Sequence, residues 1–86
     1  MSWEYRVLRE ELDNGEFGYF IAEVYYDNED GSVIGWTDSD YNPTARWDNV
    51  SDLQGTVKRM LGAFDKPVIC IVNGQAAEES STQHRP

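Results

Sequence analysis

At 86 residues the chain has room for one small domain with one modest core, since a fold this short hides only about two-thirds of the surface its unfolded chain exposes. Sixteen acids against seven bases give a formal net charge of −9, a field that repels phosphate backbones and anionic lipid and argues against direct nucleic-acid or membrane-surface binding. Aromatic residues make up 13% of the chain, which favours a packed core over a disordered polymer.

Residues 3–9 alternate, with Trp3, Tyr5 and Val7 on one side and Glu4, Arg6 and Leu8 on the other, the period of a half-buried strand. Residues 10–16 are polar and carry Asn14-Gly15, a turn signal because both residues tolerate positive φ, so a hairpin is expected there. A second strand follows at residues 17–26. Its even positions Phe20, Ala22, Val24 and Tyr26 form an apolar face predicted to meet a helix. Its odd positions Phe17, Tyr19, Ile21 and Tyr25 are nearly as apolar, interrupted by Glu23, and offer a second aromatic sheet face. After the polar turn Asp27-Asn28-Glu29-Asp30-Gly31, residues 32–37 read as a third strand with Ile34 and Trp36 on one side and Val33 on the other.

Residues 38–49 lack a period and contain Pro43, and are read as an irregular loop. Ser51 followed by Gln54 makes a capping box, Asp52 adds negative charge to the first turn, and Leu53, Val57, Met60, Leu61 and Phe64 fall on one helical stripe that ends before Pro67. Gly55 and Gly62 weaken that helix by up to about 1 kcal/mol each relative to Ala. The β-branched run at residues 68–72 fits a fourth strand. The expected fold is therefore α+β: an antiparallel three- to four-stranded sheet with one helix on one face, in the order β-β-β-α-β. Residues 1–73 form the domain, and residues 74–86 a disordered C-terminal tail.

Catalytic machinery is not expected. The only histidine, His84, falls in the predicted tail, and the single Cys70 lies in an apolar run where a thiol behaves as a small hydrophobe. No glycine-rich phosphate loop has the right spacing, and zinc is excluded by ligand count. Asp27, Glu29 and Asp38 occupy the first, third and twelfth positions of a calcium-loop-like stretch, but Gly31 and Ser32 stand fifth and sixth, which defeats the match. No metal or cofactor is expected. A lone cysteine, no signal-peptide pattern at Met1-Ser2-Trp3-Glu4-Tyr5 and no membrane-length apolar run predict a cytoplasmic setting.

The collective signal is charge. Between residues 23 and 52 eight acids face one base, Arg46, a local net charge of −7. Glu23, Asp27, Glu29, Asp30, Asp38 and Asp40, interleaved with Tyr25, Trp36, Tyr41 and Trp47, form a candidate protein-binding patch: aromatic anchors in an acidic rim, suited to a basic partner. One form of this function is imitation of nucleic-acid phosphates. The alternative is a homodimer joined through the aromatic face of Phe17, Tyr19 and Ile21, which Ile21→Asp would separate.

Two resemblances accompany these readings. Trp3-Glu4-Tyr5-Arg6-Val7, residues 21–31, Gly35-Trp36-Thr37 and residues 60–68 resemble a small family of uncharacterised bacterial and phage proteins, which implies no activity. The β-β-β-α-β order, with Val50-Ser51-Asp52-Leu53 where the helix opens, resembles the HicB-type antitoxins and implies a regulatory role. That family's Pro-Asp-Leu-Pro-Gly-Cys-like signature after strand two is replaced here by residues 26–31, so no site residue is carried over.

Overall fold

The computed structural model describes residues 1–44 and 46–79. Ser2–Glu11 (β1) and Phe17–Tyr26 (β2) form a long antiparallel hairpin in which Val7 lies opposite Ile21. Gly15, at φ 85°, lets the chain reverse, and Leu12 N–H donates to the Glu16 carbonyl at 2.7 Å. Val33–Trp36 (β3) pairs antiparallel with β2. An irregularity between Tyr25 and Tyr26 skips Ile34, so Val33 and Trp36 both pack on the core while Ile34 is exposed. The expected grouping of Ile34 with Trp36 fails because a bulge resets the alternation of a strand.

Helix α1 (Val50–Leu61) runs on into a 3₁₀ turn at Gly62–Asp65 and leads to Ile69–Val72 (β4). Its cap is Asn49, two residues before the predicted Ser51: Asn49 Oδ1 accepts from Asp52 N–H at 2.8 Å, and the Asp52 carboxylate accepts from Asn49 Nδ2 at 3.0 Å. Strand β4 lies parallel to β1, with Ile69 opposite Leu8, and a parallel partner requires the crossover that the helix provides. Asn73 and Gly74, at φ 54° and 77°, then turn the chain into Gln75–Glu78 (β5), antiparallel to β4. The result is an α+β fold with one helix and a mixed five-stranded sheet in the order β3-β2-β1-β4-β5. The sheet is thus neither wholly antiparallel nor limited to four strands, and β5 lies in the segment assigned from sequence to the tail. Residues 80–86, His84 among them, lie outside the described residues.

Each sheet face has its own core. Leu8, Ala22, Val24 and Ile69 are buried on one side, packed by Phe20, Tyr26, Val33, Trp36, Ile71 and Ala76. All five strands contribute to this cluster and the helix does not. The twisted sheet has curled toward a barrel and covers its own concave face. Tyr5, Val7 and Ala63 form the second cluster, with Ile21, Met60 and Val68, on the convex face. The helix therefore sits on the Tyr5, Val7 and Ile21 side, opposite to the predicted Phe20, Val24 and Tyr26 side. Ile21 is consequently half-buried against this cluster, and an aspartate there attacks the fold rather than probing a dimer. Cys70, expected in the core, is half-buried opposite Arg9.

Leu8→Ala empties the concave core and is expected to cost about 2–5 kcal/mol in chemical denaturation. Ile34→Ala, at the exposed residue of the bulge, should change stability by less than about 0.5 kcal/mol. A comparable loss at both positions would contradict the assigned bulge.

Candidate functional site

Three side-chain groupings concentrate the polar chemistry. The first lies at the end of the concave face, where Arg6 is only 2% exposed. One Arg6 Nη donates to the Tyr26 hydroxyl at 2.9 Å; the other donates to the Pro67 carbonyl at 2.6 Å and the Glu78 carboxylate at 2.8 Å. Arg6 Nε–H is buried without an acceptor among the described groups. Tyr26 in turn donates to Glu4 at 2.9 Å, and Lys66 pairs with the other Glu4 oxygen. Burial opposes charge on Arg6, but the Glu78 and Tyr26 bonds outweigh it and raise its pKa. Burial likewise pushes Glu4 up, and the bonds from Lys66 and Tyr26 more than reverse this, leaving its carboxyl below the ordinary range.

The second grouping surrounds Glu23 on the convex face of β2. Its two carboxylate oxygens accept separately from Tyr25 Oη at 2.7 Å and Tyr41 Oη at 2.8 Å. Its backbone is fixed as well: Glu23 N–H donates to Thr37 Oγ1 at 3.1 Å, and Thr37 N–H donates to the Glu23 carbonyl at 3.0 Å. Both tyrosines are pushed above their ordinary pKa, chiefly by the hydrogen bond to the carboxylate, since removing the phenolic proton would set two anions side by side. Among the described residues no Lys or Arg pairs with Glu23, Asp38 or Asp40.

The third grouping is an aromatic cleft of about 410 Å³ between β1 and the helix, lined by Trp3, Glu4, Tyr5, Arg59, Gly62 and Lys66. Trp3 and Tyr5 meet edge to face at 5.2 Å, and the Arg59 guanidinium lies 5.5 and 5.7 Å from their ring centres. The hairpin register places Tyr5 opposite Glu23 and Trp3 opposite Tyr25, so the cleft and the Glu23 cluster share one face.

The structure thus divides the predicted patch. Glu23, Tyr25 and Tyr41 come together, with exposed Asp38 and Asp40 in the loop that carries Tyr41. Asp27, Glu29 and Asp30 occupy the β2–β3 turn, about 13 Å or more along the strand from Glu23. There Asp27 Oδ1 accepts from the Glu29 and Asp30 backbone N–H groups at 2.7 and 3.3 Å, and Asp30 Oδ1 from Ser32 N–H at 2.9 Å, so two of the three acids shape the turn. Trp36 leaves the patch, because it packs on the concave core. Trp47 stands apart beside the first half of the helix, its indole N–H donating to the Pro43 carbonyl at 2.7 Å. The sequence reading omitted Trp3, Tyr5 and Arg59. For Trp3 and Tyr5 the Asn14-Gly15 turn carries the signal, since it fixes the register that sets them against Tyr25 and Glu23, whereas Arg59 arrives only through the packing of the helix.

No protein-family model, curated protein or solved structure matches the chain. Among the described residues no three His, Cys, Asp or Glu side chains gather to hold a metal ion, and no helix is long and apolar enough to cross a membrane.

Two titrations examine this geometry. Because the folded state depresses the Glu4 pKa, its contribution to stability is complete above the unfolded value, about 4.3, and disappears as pH falls through the lower folded value. Glu4→Gln should flatten stability against pH in that acid window and leave the slope near neutrality unchanged. In an alkaline absorbance titration, Tyr25 and Tyr41 should ionise above about 10, and Glu23→Gln should bring both back toward it. Phenols that titrate in Glu23→Gln where they do in the native chain would break the assignment of the two hydrogen bonds.

Proposed function

We propose that this chain is a non-enzymatic interaction module whose convex face receives lysine or arginine side chains of a basic partner protein. The observation that carries the reading is the Glu23 carboxylate, held through both oxygens by Tyr25 and Tyr41 and lacking a cationic partner among the described residues. A carboxylate already oriented by neutral donors keeps its negative charge and loses little freedom when a cation arrives. Asp38 and Asp40 extend the field along the adjoining loop, within the stretch of net charge −7. Arg59 against Trp3 and Tyr5 supports the same chemistry, since these rings already accommodate a guanidinium. Carboxylates spaced along a loop also suit the narrower case in which the face substitutes for nucleic-acid phosphates on a DNA- or RNA-binding protein.

An arginine-rich peptide of about ten residues, titrated by calorimetry or tryptophan fluorescence, examines this reading. Binding should weaken steeply between about 0.1 and 1 M salt, as the Debye length falls from about 10 to 3 Å. Glu23→Gln should weaken it about tenfold at low salt, the expected scale for one charge-assisted contact. An affinity indifferent to both salt and Glu23→Gln would overturn the proposal, as would absence of binding at low salt.

A further inference from the structure

Helix α1 is oriented so that much of its apolar stripe misses the sheet. Thr56 and Ala63 are buried beneath it and Met60 packs beside them, but Val50, Val57, Leu61 and Phe64 are 79%, 41%, 60% and 65% exposed. At 3.6 residues per turn, Val50, Val57 and Leu61 lie within about 40° of one another, and Phe64 continues their line into the 3₁₀ turn. The side chains form one strip along a helix about 18 Å long.

We propose that this strip is covered by the same strip of a second copy of the chain, helix against helix about a two-fold axis. The charge distribution permits that occupant and disfavours a basic one. Residues 50–66 carry Lys58, Arg59 and Lys66 against Asp52 and Asp65, a net of +1 in a chain of net −9. Two copies therefore approach at the helix with little like-charge repulsion, whereas a polybasic partner is drawn to the acidic loop instead and gains nothing here. The extent is suitable as well. The four side chains leave open on the order of 450 Å² of apolar surface, within the range of about 300–600 Å² that the largest patch of a soluble monomer reaches. Gln54 and Lys58, both exposed, border the strip as a polar rim, and because its apolar area is smaller than the roughly 800 Å² that a standard interface takes from each partner, the dimer is concentration-dependent. An isologous contact also needs only one self-complementary surface, which an apolar helix strip supplies. Finally, only seven apolar residues are buried among those described, so covering four more per copy adds substantially to a small core.

The test is the mass of the full chain by sedimentation or light scattering, from about 5 to 500 µM, at about 0.1 and 1 M salt. The mass should rise from one chain to two with concentration, high salt should leave the dimer intact, and the melting temperature should rise with concentration. Leu61→Glu, at a largely exposed position, should weaken dimerisation about 30-fold or more with an unchanged circular dichroism spectrum, while Leu61→Met retains the dimer. A single-chain mass throughout the range would overturn the proposal, and so would a dimer that Leu61→Glu leaves intact. Glu23→Gln should not alter the dimer, so failure of this inference and failure of the basic-partner reading are separately visible.

Discussion

The fold turns on one buried guanidinium. Arg6 lies on the central strand, and its two Nη groups reach Tyr26 on β2, Glu78 on β5 and the Pro67 carbonyl ahead of β4. A single side chain thus ties together strands on both sides of β1, at the end where the sheet must curl to close over Leu8, Val24 and Ile69. Taking a cation out of water costs several kcal/mol unless its donors are met. Here Nη1 and Nη2 make three hydrogen bonds, Glu4 lies 3.5 Å from Nη1, and Nε–H has no acceptor among the described residues. The neighbouring ion pair extends the tie, since Glu4 links Tyr26 to Lys66 beyond the helix.

That curl decides where everything else goes. Once all five strands supply side chains to the concave face, no room or need remains there for a helix, and the β3-to-β4 crossover must pass over the convex side. It settles on Tyr5, Val7 and Ile21, and so borders the cleft of Trp3 and Tyr5 that opens beside the Glu23 cluster. The site and the exposed helix strip are both consequences of one geometric outcome: the helix rests on a convex surface, which touches a cylinder along a narrow line and leaves its flanks open.

Much of the fold was legible where local chemistry decides. The Asn14-Gly15 turn, the long second strand and the helix were each visible because a period or a φ > 0 requirement is written in consecutive residues, although the helix buries Thr56 while Val57 and Leu61 of its expected stripe are exposed. The fifth strand was missed although Asn73-Gly74 repeats the signal of Asn14-Gly15; Gln75-Ala76-Ala77-Glu78 has no β-branched or large apolar residue, so its strand state comes from pairing with Ile69–Val72. The parity of β3 was misread because a bulge leaves no mark on composition. The choice of helix face was beyond local pattern altogether, since β2 is apolar on both sides and only the curl of the whole sheet distinguishes them. For the site, Glu23, Tyr25 and Tyr41 were visible as acid and aromatics, but Trp36 has the same composition signal and points inward.

Charge is segregated for the same reason. The ion pairs among the described residues join Arg6, Arg9 and Lys66 to Glu4, Glu78 and Glu79, which lie on β1, on β5 or just after it, and, for Lys66, in the link between the 3₁₀ turn and β4. Those pairs use bases where strands from distant parts of the chain must be fastened, and none reaches the loop between β3 and the helix. Asp38 and Asp40 thereby stay without an ion pair among the described residues, and Glu23, on β2 beside that loop, meets its hydrogen-bonding needs with neutral hydroxyls instead of a cation. Tyrosine donors stabilise a carboxylate without cancelling its charge, so the structure that orders Glu23 also preserves its attraction for a cation arriving from outside.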